Sequence, residues 1–220
     1  MAERASNIFL HCLELGVRMG QKGTRAYADT LSWAAVALDR AGQHARAVVV
    51  GEECLEMREK LGQRDTSDFV HTLNNLGLSL NNAGQYERAV EVLRECLRRR
   101  EALEGRLSAD YAVTLNNLGL SYDKMGLFSL SVEVFDEVKA LYDELEVNKD
   151  SGFYATALCN LGAALDRSGR HADAVPILKQ CRKRRENMMQ YSAPVYGITL
   201  NNLALALKNA GLIDEAIRVW

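Results

Sequence analysis

Apolar residues recur along this chain at intervals of three and four. Leu73, Leu76 and Leu80 form one such run, and Ala89, Val92 or Leu93, Cys96 and Leu97 form another. Each is the stripe of an amphipathic helix, and no stretch alternates with the period of two that a strand requires. The stripes come in pairs around a turn, and the pair itself repeats. Thr-Leu-Asn-Asn-Leu stands at Thr72 to Leu76, Thr114 to Leu118 and Thr199 to Leu203, with a degenerate copy at Ala157 to Leu161. The first Leu of each unit falls at Leu31, Leu73, Leu115, Leu158 and Leu200, separated by 42, 42, 43 and 42 residues. A fixed period of this length predicts a solenoid, in which each unit buries its apolar face only against its neighbours.

The repeat columns have physical readings. An aromatic stands four residues before the first Leu in every unit: Tyr27, Phe69, Tyr111, Tyr154 and Tyr196. Four residues after that Leu comes a minimal side chain, Ala35, Gly77, Gly119, Gly162 or Ala204, where another helix must approach closely. A turn glycine follows at Gly42, Gly84, Gly126, Gly169 and Gly211, then Ala47, Ala89, Ser131, Ala174 and Ala216, small enough to admit a second helix. Ser108, Ser151 and Ser192 are expected N-caps of first helices, and Pro194 stands where a helix still accepts proline. Pro176 falls early in a second helix, where a slight bend is expected.

These columns divide the chain into an orphan second helix at 1–22, helix pairs at 26–62, 67–104, 109–147 and 152–190, and an incomplete last repeat at 194–220. They are read as one solenoid, a segment of a longer array. Both end faces are expected to be apolar. The unpaired first helix at the C-terminal end could then dock on the orphan helix of a second molecule, giving end-to-end self-association through uncapped terminal helices.

Composition narrows the function. The 27 Lys and Arg against 29 Asp and Glu give a net charge of −2, which offers no reason to bind nucleic acid or an anionic membrane. No apolar run approaches the roughly 18 to 20 residues of a membrane span. No signal-peptide layout opens the chain, so a cytoplasmic, reducing setting is expected. Cys12, Cys54, Cys96 and Cys181 share one register of the second helices, with Val138 in the fifth copy, and are read as packing residues about 10 Å apart, beyond disulfide reach. His44 and His171 share the register of Tyr86, Phe128 and Ile213 and are likewise read as packing residues. With no Cys-x-x-Cys pair, no phosphate loop and no His beside a nucleophile, neither metal, cofactor nor catalysis is expected. The basic runs Arg98-Arg99-Arg100 and Arg182-Lys183-Arg184-Arg185, interleaved with Glu95, Glu101 and Glu186, are read as a solvated face.

The segment Met57-Arg58-Glu59-Lys60-Leu61-Gly62, followed ten residues on by Thr72-Leu73-Asn74-Asn75-Leu76-Gly77, resembles a repeat boundary of kinesin light chains, the long-period kind of tetratricopeptide repeat. The resemblance runs through almost the whole chain. It departs from the light chains in lacking their His-Pro loop pair, which Asp65-Thr66-Ser67-Asp68 replaces, and a heptad coiled coil. The resemblance implies an all-α, right-handed superhelical solenoid of antiparallel helix pairs whose first helices line a concave groove. It implies a protein-binding scaffold, with a structural spacer or assembly subunit, or a regulatory module of a larger enzyme, as alternatives.

Two asparagine columns then become the candidate peptide-binding groove: Asn74, Asn116 and Asn201, beside Asn75, Asn117, Asn160 and Asn202. An amide that both donates and accepts can bond the main chain of an extended peptide. The bland alternative is that the inner Asn of each pair ties neighbouring repeats together by bonding to backbone groups. Leu78, Leu120 and Leu205 offer apolar contacts one turn on, and Asn81, Asp123, Lys124, Arg167 and Lys208 add polar and charged ones. The groove lacks the converging cations of a carboxylate clamp, so the expected ligand is an internal extended or short helical segment, with no free C-terminus required.

Overall fold

The computed structural model describes residues 2–145, 151–190 and 194–219. Two compact units share the chain. Unit 1 (Met1–Arg106) holds α1 (Ala2–Arg18), α2 (Arg25–Arg40), α3 (His44–Lys60), α4 (Ser67–Asn82) and α5 (Tyr86–Glu104). Unit 2 (Leu107–Trp220) holds α6 (Ala109–Lys124), α7 (Phe128–Glu144), α8 (Gly152–Arg167), α9 (His171–Asn187), α10 (Pro194–Asn209) and α11 (Ile213–Val219). The described residues contain no strand. Each unit is a stack of the helix pairs that the period predicts, with α2, α4, α6, α8 and α10 as first helices. No helix is long and apolar enough to cross a membrane among the described residues.

Local chemistry sets the helix ends. The hydroxyls of Thr24, Thr66, Ser108 and Ser151 accept hydrogen bonds from the backbone N–H groups of Tyr27, Phe69, Tyr111 and Tyr154, at 3.2, 3.4, 3.1 and 3.2 Å. The aromatic column is thus also the position that each cap secures. Ser108 and Ser151 cap as expected, Thr24 and Thr66 are caps the sequence reading passed over, and Ser192 lies outside the described residues. First helices end alike: Gln43, Gln85, Leu127, Arg170 and Leu212 each donate their N–H five residues back at 2.9 Å. This closure requires the left-handed backbone at the turn glycines, whose φ runs from 75° at Gly126 to 84° at Gly169. The second helices α3, α5, α7 and α9 start with no side-chain cap, directly from that turn. α9 continues through Pro176, which faces solvent.

The close approach falls where the small column predicts it. A Cβ on Gly77, Gly119 or Gly162 would stand 2.5, 2.7 or 2.4 Å from the side chain of Leu93, Phe135 or Leu178. The first pair reverses the sizes: Ala35 takes the glycine position, and Gly51 stands in the register of Leu93. Leu31, Leu80, Leu158, Leu161, Phe135 and Tyr154 are among the fully buried side chains.

Several expectations need correction. The basic runs are not uniformly solvated. Arg100 and Arg185, with Arg58, are only 3% exposed, because the period puts them in the register of buried Tyr142, facing the first helices. Arg99 and Arg184 lie over the rings of Phe69 and Tyr154 at 5.1 and 4.2 Å. His44 and His171 pack less than they bond: their Nδ1 atoms meet Asp39 and Asp166 Oδ1 across the turn, at 2.9 and 2.7 Å. Cys54, Cys96 and Cys181 are buried and donate to the carbonyls of Ala28, Val70 and Ala155. Cys12, in the same register, is exposed. The first helix at the C-terminal end is not unpaired either, because α10 packs against both α9 and α11.

Candidate functional site

Within each unit, polar columns of the first helices form rungs that tie neighbouring first helices together. In unit 2, Asn160 Nδ2 donates to Asn116 Oδ1 at 3.0 Å, and Asn202 Nδ2 donates to Cys159 Sγ at 3.4 Å. One to two turns on, Arg167 pairs with Asp123, and Asn209 Nδ2 donates to both Asp166 carboxylate oxygens at 3.1 Å. Unit 1 repeats the second rung, with Asn82 Nδ2 on Asp39 Oδ2 at 2.9 Å. The structure therefore engages Asn116, Asn160, Asn202, Asp123 and Arg167 between repeats, through side-chain partners rather than the backbone groups of the alternative reading. Asn117 is buried, whereas Asn74, Asn75, Asn81, Leu78 and Leu120 are half-buried. Lys124, Asn201, Leu205 and Lys208 are exposed.

Two concavities border these columns. In unit 2, Asn201, Leu205 and Lys208 of α10 join Ile213, Ala216 and Ile217 of α11 around a mainly apolar slot of about 380 Å³. In unit 1, α2 and α4 flank a polar pocket of about 330 Å³. Asp29, Ser32, Trp33 and Val36 line it from α2, Asp68, His71 and Asn75 from α4, and Arg58 rises from α3.

Charge in the unit 1 pocket is ordered. The buried Arg58 guanidinium donates to Asp29 Oδ1 at 2.8 Å and Gln63 Oε1 at 3.0 Å, and stands 3.7 Å from Asp68. Arg25 pairs with the same Asp68 oxygen, Oδ2, at 2.7 Å. Arg58 Nε has no hydrogen-bond partner. A large aromatic beside these pairs, Trp33, is 62% exposed. Of the sequence-derived groove residues only Asn75 lines this pocket. Asp29, Trp33 and Arg58 were missed, although one signal was legible: Trp33 stands in a column that is otherwise asparagine.

Comparison with known proteins places this geometry. Family models described as tetratricopeptide repeat match residues 68–144 and 155–189. A search of the curated proteins finds no match. Among solved structures, BtubC (BKLC) from P. vanneervenii is similar at 19% identity and a TM-score of 0.79, over 100% of this chain and 91% of that one. A Podosopora anserina putative kinesin light chain with nearly identical TPR-like repeats gives 18% and 0.74, over 87% and 90%. MamA of AMB-1 gives 21% and 0.57, over 84% and 90%. At these identities the likeness is one of fold.

Proposed function

Because the chain belongs to the tetratricopeptide repeat family, we propose that it is a protein-interaction scaffold that holds a peptide segment of a partner against its first helices, anchored in unit 1 at the Trp33 pocket. The observation that carries this reading is Trp33 itself. A solvated indole beside a polar cavity leaves apolar area uncovered, and tryptophan is among the residues that most often dominate binding energy. Asn75 and Ser32 at the same pocket supply groups that can bond a peptide main chain, and Val36 extends the apolar contact. Much of the asparagine array is engaged between repeats, so it shapes the surface more than it reads the ligand.

Affinity capture from the source cells, comparing wild type with Trp33→Ala after circular dichroism shows equal helicity, tests the reading. Recovery of the partner is expected to fall by roughly tenfold or more, the loss of a binding hot spot; equal recovery contradicts it. The ligand is an internal segment, so amidating the C-terminus of the identified peptide should leave its affinity unchanged. Abolished binding would show that a free carboxylate is read.

The apolar slot between α10 and α11 favours a second reading, assembly with another copy of the chain. Ile213 and Ile217 are 50% and 69% exposed there. Light scattering over a concentration series shows dimer if this holds and monomer throughout if it does not.

A further inference from the structure

The pocket of unit 1 is layered by charge. Asp29, Trp33 and Val36 recur at helical spacing on α2 and so share one face, and Asp68, His71 and Asn75 do the same on α4. Behind them the Arg58 side chain is 3% exposed, whereas those of Asp29 and Asp68 are 44% and 40% exposed. The cavity of about 330 Å³ is therefore faced by carboxylates, with the cation underneath. One buried guanidinium between two carboxylates leaves one net negative charge. The chain answers it with Arg25, whose side chain is 67% exposed, and an ion pair that stands so far into water is weak.

Each carboxylate also has an oxygen to spare. Arg58 donates to Asp29 Oδ1 at 2.8 Å and reaches Asp68 Oδ2 at 3.7 Å, and Arg25 donates to that same Oδ2 at 2.7 Å. Asp29 Oδ2 and Asp68 Oδ1 thus receive no hydrogen bond from either cation. Beside them stands the exposed Trp33 indole, and an aromatic face attracts a cation, above all a guanidinium that can stack on it. An incoming carboxylate would instead meet two others. The arrangement is not a property of the repeat, since unit 2 holds Thr156, Asn160 and Val195 at the positions of Asp29, Trp33 and Asp68.

Resting on the reading of Trp33 as the anchor, we propose that this pocket takes an arginine side chain of the partner segment. Its guanidinium stacks on the indole and donates to the spare oxygens of Asp29 and Asp68, and its methylene stem packs towards Val36. Arg25 is then free to turn into solvent. Trp33 supplies the contact area, and the two carboxylates supply the choice of residue.

The test selects a random peptide library displayed on phage against the full chain, then measures synthetic copies of the selected peptides by fluorescence anisotropy on wild type and Trp33→Ala. The selected peptides are expected to share an arginine and to lose binding on Trp33→Ala. Replacing that arginine by citrulline, which keeps its shape and removes its charge, should weaken binding to wild type by roughly tenfold or more. Asp29→Asn should cost a similar factor with the arginine peptide and little with the citrulline one, a coupling that general destabilisation does not produce. Peptides that depend on Trp33 but share no arginine, or bind equally well with citrulline, would overturn this proposal and leave Trp33 as the anchor. Peptides that bind Trp33→Ala as tightly as wild type, or a selection that enriches none, would overturn the anchor and the proposal together.

Discussion

Single side chains decide how closely paired helices approach. Gly119 faces the ring of Phe135, so Gly119→Leu should destabilise the chain by about 1–3 kcal/mol or more through overpacking, measured by urea unfolding. The aromatic pair of unit 2 makes a different prediction. Tyr142 and Tyr154 stack with centroids 5.2 Å apart, and the Tyr154 hydroxyl donates to Asp143. Burial, with a nearby carboxylate in each case, pushes both phenols up to about 12 from 10.0. A pKa raised by folding means that their stabilisation is complete below pH 10 and is lost as pH rises towards 12. Alkaline titration followed by tyrosinate absorbance and circular dichroism should show two late tyrosines whose ionisation coincides with loss of helix. At this scale the sequence was legible wherever a column kept one chemistry, as with the turn glycines. It misled at Arg100 and Arg185, which share their register with Arg58, because arginine reads as surface. Their spacing of 42 and 85 residues, which holds them in the Tyr142 register, was the signal of burial.

Helices here are set by their caps and by the glycine turns. Thr66→Ala removes the acceptor for the Phe69 N–H and should cost about 1 kcal/mol. Leu161→Ala opens a cavity in the fully buried layer between α8 and its neighbours and should cost about 2–5 kcal/mol. Both are read by thermal or denaturant unfolding. Helix ends were legible to within a few residues, since the serine caps and the Gly turns are local chemistry. The His44–Asp39 and His171–Asp166 pairs were not, because a bond five residues apart across a turn has no periodic signature. The same holds for the rungs. That Asn160 would meet Asn116 depends on how two first helices settle against each other, which a repeat period leaves open.

At the scale of the whole molecule, a chain of repeats gains its stability from its units and from the interfaces between them. Asn160→Ala with Arg167→Ala removes both rungs between α6 and α8 at once. The expected result is a broader denaturation profile, with the end of unit 2 melting ahead of the rest. Function was legible only as a class. The repeats identify a family whose surfaces serve interaction, whereas the proposed ligand contact falls at Trp33, which the repeat pattern treats as an exception. Hydrogen exchange of the chain with and without the protein it captures tests the central claim most directly. New protection concentrated in α2 and α4, around Trp33, Val36 and Asn75, is the predicted outcome. Protection confined to second helices, with α2 and α4 unchanged, would contradict a scaffold that works through its first helices.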